Sequence, residues 1–312
     1  MRKFIIDTDT GSDDAYAIMM ALECEDADVL GITTVSGNVP LDKATNNALM
    51  TVEVCKKKTP VYRGAAKPLF RSAITAQGVH GSDGMGDMDL IHPSLTAESK
   101  HAADYMLETL RDCPENSIEL IMLGPATTVA LAILKDAKTM SRLKHVYSMG
   151  TAGFGPGNVS PVAEFNVFAD AESYGVLLNS GLPLTIIGFD LCRGEAALNS
   201  REIDRLLSMG EKQRFFGSCV QRLKNHNVEI GEGCVADLPD AVAMGIALWD
   251  DVSDGFAPSY CYCCTREEPA YGQVIIHRLD SGLYRGKEKN ADVATGINAV
   301  LFKKRLMELL EK

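Results

Sequence analysis

Apolar and polar positions fall in blocks along the first two-thirds of the chain. Short, nearly unbroken apolar runs recur at 4–6, 29–35, 118–123, 145–149 and 184–189. Runs of this kind suit strands buried on both faces. Between and after them lie stretches with helical character at 13–23, 41–56, 97–111, 128–135, 171–179, 202–212 and 240–249. The alternation predicts an α/β fold: a mostly parallel, doubly wound, Rossmann-like central sheet flanked by helices. A further strand at 272–277 and a closing helix over 292–311 complete the expected elements. No linker, repeat or low-complexity run interrupts the pattern, so residues 1–312 read as a single domain.

The first strand leads into an unusual turn. Phe4-Ile5-Ile6 is followed by Asp7-Thr8-Asp9-Thr10-Gly11-Ser12-Asp13-Asp14, and then by the apolar helix that starts at Ala15. Four carboxylates thus occupy one strand-to-helix turn, where an open α/β sheet places its ligand. Helix capping and turn formation account for two acids, not four. Such a concentration of charge is costly unless a cation, a proton or a polyhydroxyl ligand offsets it. A hard divalent ion such as Ca²⁺ fits, because it takes about 6–8 oxygen ligands. Two other metal-loop patterns do not match. A phosphatase-type Asp-x-Asp-x-Thr loop has Thr or Val where this chain has Gly11, and an EF-hand counted from Asp7 would end at Ile18 rather than Glu.

Polar residues also collect at the ends of other expected strands. The run 29–35 ends in Ser36-Gly37-Asn38, 118–123 in Gly124-Pro125, and 145–149 in Gly150-Thr151-Ala152-Gly153. All lie on the sheet edge that carries Asp7 and Asp9. Asn158, Glu164 and Asn166 follow closely, interleaved with apolar residues. Amides donate and accept while a carboxylate only accepts, a set that suits hydroxyl recognition; a loop of Asx-turns is the plainer account. Asp240 follows Pro239 at the expected start of a helix, where the helix dipole favours an ionised acid. The Gly-rich stretch 76–86, with His80 in it, reads as a mobile loop that could cover a site.

Composition narrows the partners. The net charge is −11 and no block of Lys or Arg occurs, which argues against nucleic acid and anionic membrane surfaces. No apolar run is long enough to span a bilayer. Met1-Arg2-Lys3-Phe4 enters the first strand directly and leaves no room for a signal peptide. Nine cysteines at scattered spacing point to reduced thiols and a cytoplasmic setting. The cluster Cys261-Tyr262-Cys263-Cys264 lacks zinc-knuckle spacing and reads as a strand with buried thiols.

Taken together, these motifs resemble the nucleoside hydrolase (inosine-uridine N-ribohydrolase) family over nearly the whole chain. The resemblance rests on the Asp7–Asp14 motif, Ser36-Gly37-Asn38, His80-Gly81, Leu123-Gly124-Pro125, Val162-Ala163-Glu164-Phe165-Asn166 and Pro239-Asp240-Ala241-Val242-Ala243. It implies Ca²⁺-dependent hydrolysis of the N-glycosidic bond of ribonucleosides, in purine or pyrimidine salvage. It further implies that Asp9, Asp14, Asp240 and the Leu123 carbonyl hold Ca²⁺ and that Asp9 is the general base for water. Asp13 and Asn38 would hold the ribose hydroxyls. Asn158, Glu164 and Asn166 would bind the sugar from its other side, with Glu164 near the 5′-hydroxyl. His80 would lie beside the base, and Asp7 would order the loop. The expected partners are a ribonucleoside and further copies of the chain, as a homodimer or homotetramer.

One position departs from the family. Inosine-uridine-preferring members carry a His before the last metal ligand and purine-preferring members a Trp; here it is Pro239. The group that activates the leaving base is therefore not given by the resemblance. His226, Asn227 and Glu229 stand in the preceding segment, and for each a core or surface role is the simpler reading. Two other functions fit parts of the pattern: a Ca²⁺-dependent ribosyl-binding protein with weak or no turnover, suggested by Pro239, and a metal-dependent phosphohydrolase. The latter would want Arg, Lys or a Gly-rich nest, where these motifs offer acids and amides.

Overall fold

Strand β1 (Arg2–Thr8) places Phe4 and Ile6 in one hydrophobic core and Ile5 in another. That is the period-two alternation of a strand covered on both faces. The structure, a computed structural model, describes residues 1–266, 268–281 and 286–312. β1 pairs in parallel with β2 (Ala27–Thr34) on one side and β4 (Ile118–Met122) on the other. β3 (Val61–Arg63) extends the first side. β5 (His145–Met149) and β6 (Leu184–Ile187) extend the second. A two-stranded sheet joins β7 (Leu198–Asn199) and β8 (Val235–Ala236). β9 (Ser253–Cys263), β10 (Val274–Arg278) and β11 (Ala291–Ile297) complete the main sheet, whose order is β10-β9-β11-β6-β5-β4-β1-β2-β3. β11 is parallel to β6, and β9 runs antiparallel to both of its neighbours, β10 and β11.

The strand order reverses between β1 and β4, so the crevice outside their carboxyl ends is the topological switch point where such sheets bind ligands. The helices Ser12–Glu23, Pro239–Leu248 and Ala299–Leu310 pack into the core containing Phe4 and Ile6. Ala102–Asp112, Thr127–Lys135 and Ala171–Leu178 pack into the core containing Ile5. Each fully buried Ile or Phe in these layers contributes about 1.5–3 kcal/mol. Arg2 and Glu119 tie the two strands of the switch point together. Arg2 Nε donates to Glu119 Oε1 at 2.9 Å, a second guanidinium nitrogen meets Oε2, and Lys144 Nζ lies 3.1 Å from Oε1.

Several expected boundaries shift. The closing segment is not one helix: Ala291–Ile297 is a strand between β6 and β9, and the helix is Ala299–Leu310. Alternating burial across Ala291 and Val293 wins in the strand, and the Asn298 side chain accepts from Leu301 N to start the helix. The expected helix 202–212 is two, Ser200–Ser208 and Glu211–Cys219, separated at Met209-Gly210. Its partner Gln221–Glu229 was not anticipated. The helix expected from residue 97 starts at Ala102, because Glu98 bridges Tyr62 beside β3 and His101 caps the first turn. Phe189 leaves β6 for a short 3-10 turn. Cys261 and Cys263 are buried along β9 while Tyr262 is exposed, as the alternation implied.

Candidate active site

The carboxyl ends of β1, β2 and β4 converge on Asp9. The Asn38 backbone N–H donates to Asp9 Oδ2 at 2.5 Å. A Cβ at Gly37 would lie 2.1 Å from Asp9 Oδ2, and one at Gly124 2.7 Å from Asp9 Oδ1. The glycines of both strand-end motifs are thus explained by close approach to one carboxylate. Asp13 and Asp14 open the helix Ser12–Glu23, and Asp14 accepts from Gly11 N, Thr8 Oγ1 and Asn38 Nδ2. Asp240 opens the facing helix Pro239–Leu248, with Pro239 in its first turn as expected. Oxygens of Asp13, Asp14 and Asp240 lie within 4.8 Å of one another.

The electrostatics of this group call for a cation. Asp9, Asp13, Asp14 and Asp240 are buried, and burial pushes each pKa above the ordinary aspartate value, with neighbouring acids adding to the shift for Asp9, Asp14 and Asp240. Asp13 is pushed up to about 6. Among the described residues, Asp9 Oδ1 and Asp13 Oδ1 are buried without a hydrogen-bond partner, which is costly for a carboxylate oxygen. Orphaned carboxylate oxygens in a group of hard oxygen donors fit a divalent ion of the Ca²⁺ or Mg²⁺ type. Asp7 stands apart. It accepts from Thr33 Oγ1 at 2.6 Å, and burial pushes it up to about 7.

Above the acids lies a cavity of about 350 Å³. Asp13, Asn38, His80, Leu123, Asn158, Glu164, Asn166 and Asp240 all line it, while Asp9 and Asp14 sit behind that lining, fully buried. Glu164 caps the short helix Phe165–Ala169, accepting from the N–H groups of Asn166, Val167 and Thr151; burial pushes it up to about 7. Thr151 adopts a left-handed φ of 77° to make its contact. Asn158 Oδ1 accepts from Phe165 N, and Asn166 Nδ2 donates to the Leu123 carbonyl at 2.6 Å. The second lone pair of that carbonyl is unassigned by this bond.

His80 belongs to a packed segment rather than an open loop. Its neighbour Met85 is fully buried, Ser12 Oγ donates to Gly84 O, and Asn47 Nδ2 bridges Thr10 O and Asp83 O. His80 Nδ1 accepts from Ser12 N at 3.4 Å and lies 3.8 Å from Asp13 Oδ1. Burial pushes its pKa down to about 4, so near neutral pH the ring is uncharged and carries its proton on Nε2.

The remaining wall was not legible as a site. Leu223, His226, Asn227 and Ile230 line the cavity from the helix Gln221–Glu229 and the residue after it. Their i, i+3, i+4, i+7 spacing is one helical face, a signal present in the sequence. Glu229 falls off that face and is exposed. His226 and Asn227, for which the sequence suggested a core or surface role, line the cavity. Phe189, Arg193, Glu232 and Asp237 also line it. Arg193 pairs with Glu232, and Asn227 Nδ2 donates to Asp237 Oδ2 at 3.0 Å.

The family model of inosine-uridine preferring nucleoside hydrolases matches residues 4–304. The chain belongs to that family. Over 191 residues it is 40% identical to the pyrimidine-specific ribonucleoside hydrolase RihB of Escherichia coli, a match covering 61% of this chain and 60% of that protein. Over 190 residues it is 38% identical to an uncharacterized protein of Schizosaccharomyces pombe, covering 61% of each. The matched stretches therefore span about three-fifths of the length of these relatives. Among solved structures, an inosine-guanosine nucleoside hydrolase superposes with a TM-score of 0.90 at 29% identity, covering 100% of this chain and 99% of that one. Among the described residues, no helix is long and apolar enough to cross a membrane.

Proposed function

We propose that the protein hydrolyses the N-glycosidic bond of ribonucleosides, releasing free base and ribose, with Ca²⁺ as its ion. The observation that carries this reading is the group of buried, partly orphaned carboxylates under a cavity walled by amides, at the switch point of a sheet from this family. Asp9, Asp14, Asp240 and the Leu123 carbonyl would hold the ion, and Asp13 stands close enough to join them. A bound divalent ion would orient the attacking water and lower its pKa.

The chain's own residues supply the rest. Asp9, with one oxygen held by Asn38 N and the other without a partner among the described residues, takes the water proton. Asp13 and Asn38 take the 2′- and 3′-hydroxyls. Asn158, Glu164 and Asn166 face the sugar from the other side and fix C1′ against the water. Buried carboxylates around the ring offset the positive charge of an oxocarbenium-like transition state. His80, uncharged and packed against Ser12, borders the base. The scattered spacing of the nine cysteines suits a reducing, cytoplasmic setting, with one domain assembling as a homodimer or homotetramer.

The test is release of reducing sugar from a ribonucleoside panel, with and without a chelator. The panel holds uridine, cytidine, inosine and guanosine, because the named relatives divide between pyrimidine and purine substrates. Absence of sugar from every nucleoside in metal-replete protein would defeat the reading.

A further inference from the structure

Departure of the base needs a proton, and the family's position for its donor is Pro239, which has none. We propose that His226 donates the proton to the leaving base, from the face that the helix Gln221–Glu229 turns to the cavity. The inference rests on the nucleoside-hydrolase reading and deepens it.

The cavity wall offers few alternatives. Asp13 and Asp240 belong to the buried carboxylate group. Both oxygens of Glu164 are engaged by backbone N–H groups. Arg193 is paired with Glu232, and a guanidinium does not release its proton. Asp237 accepts from Asn227, and His80, with Nδ1 accepting from Ser12 N, is a neutral ring whose Nε2–H can hydrogen-bond the base but is too weak an acid to protonate it. His226 is half-buried on the cavity wall, and among the described residues no group hydrogen-bonds its ring. Imidazole is also the side chain that most often serves as general acid or base in catalysis.

The surroundings hold that ring in place. Leu223 and Ile230, one turn to either side, make an apolar wall on the same face, and Phe189 also lines the cavity. A flat, aromatic base suits such a wall. Asn227 pins the turn, donating to Val235 O and Asp237 Oδ2. Arg222 Nη2 donates to Gly78 O at 3.0 Å and ties this helix to the turn that carries His80.

The step balances. The water oxygen bonds to C1′ as the C1′–N bond breaks, and that bond's electron pair stays on the base. One water proton passes to Asp9, and the His226 proton passes to a ring nitrogen of the base. Solvent then reprotonates His226 and takes the proton from Asp9, so nucleoside plus water gives ribose plus base.

The experiment compares His226→Gln with wild type on uridine and inosine and on 4-nitrophenyl β-D-ribofuranoside, whose leaving group departs without protonation. The nucleoside kcat should fall by about 10²–10⁴-fold, the usual worth of acid catalysis, and the loss on the nitrophenyl riboside should be at least about tenfold smaller. His226→Asn repeats the comparison with a shorter amide. Equal losses on both substrate types, or nucleoside rates close to wild type, would overturn the assignment of His226 alone. Wild-type protein that cleaves neither substrate type would overturn the hydrolase reading beneath it.

Discussion

Asn38 donates its backbone N–H to Asp9 Oδ2 at 2.5 Å, which joins the loop after β2 to the loop after β1 and leaves Asp9 Oδ1 buried without a partner among the described residues. A carboxylate held on one side and open on the other is placed to work as a base. Asp9→Asn should cut kcat by about 10²–10⁴-fold while ribose-analogue affinity changes far less. Steady-state rates beside equilibrium binding check this. A kcat within about tenfold of wild type would remove Asp9 from the role.

Metal removal should abolish turnover and lower Tm together. The four buried acids are pushed toward holding protons when nothing offsets their charge. An ion at about 100 times its Kd adds about 2.7 kcal/mol to stability. Thermal melting of chelated protein, with metal content measured in the same sample, is the check; a metal-free sample with full activity contradicts the assignment.

A 2′-deoxyribonucleoside should be a poor substrate. Loss of one hydroxyl leaves buried groups such as Asp13 and Asn38 without the partner they are built to meet. Sites of that kind reject the lacking analogue on the order of 10⁴-fold. Specificity constants for uridine and 2′-deoxyuridine decide it, and comparable values would count against the sugar assignment.

Nucleotides should also be rejected. A 5′-phosphate brings about −1.5 to −2 charges at pH 7 toward Glu164 and the aspartates. Arg193 reaches the cavity but is already paired with Glu232. The expected ratio of specificity constants, uridine over its 5′-monophosphate, is roughly a hundredfold or more, after discounting an interaction on the order of 4 kcal/mol per charge pair for solvent. Equal constants would mean that Arg193 leaves Glu232 to meet the phosphate, which Arg193→Gln would then reveal.

Stability should weaken on the acid side through Glu119. Burial alone would raise its pKa, but Arg2 and Lys144 outweigh burial and hold it below the ordinary glutamate value. A depressed acid stabilises the fold above the unfolded pKa, about 4.3, and loses that contribution as pH falls through the lower folded value. Glu119→Gln should cost about 1–3 kcal/mol near neutral pH. The gap from wild type should narrow as pH drops below about 4. Urea melts across that range test it, and a gap independent of pH would assign the loss to packing.

The sugar half of the candidate site was legible in the sequence because its residues lie in short runs at strand ends. Asp7–Asp14, Ser36-Gly37-Asn38 and Leu123-Gly124-Pro125 each follow an apolar strand, and parallel strands bring all their carboxyl ends to one edge. The base-facing half was less legible. Its residues come from a helix, a 3-10 turn and a loop that no motif marks. Glu229 drew notice beside His226 and Asn227 although only the latter two share the inward face with Leu223 and Ile230.

The sequence by itself determined the alternation of strands and helices, the edge on which the acids gather, and the family. Those properties depend on local periodicity and on residues close together in the chain. Tertiary structure decided what depends on distant partners. It made 291–297 a strand, because β6 and β9 offered it a slot and hydrogen bonds that a helix would forgo. It placed Asp240 against Asp13 and Asp14, more than 220 positions away, by packing two helix starts together. It turned His226 from an unremarkable helical residue into part of the cavity wall, because the face of a helix acquires a meaning only when something packs opposite it.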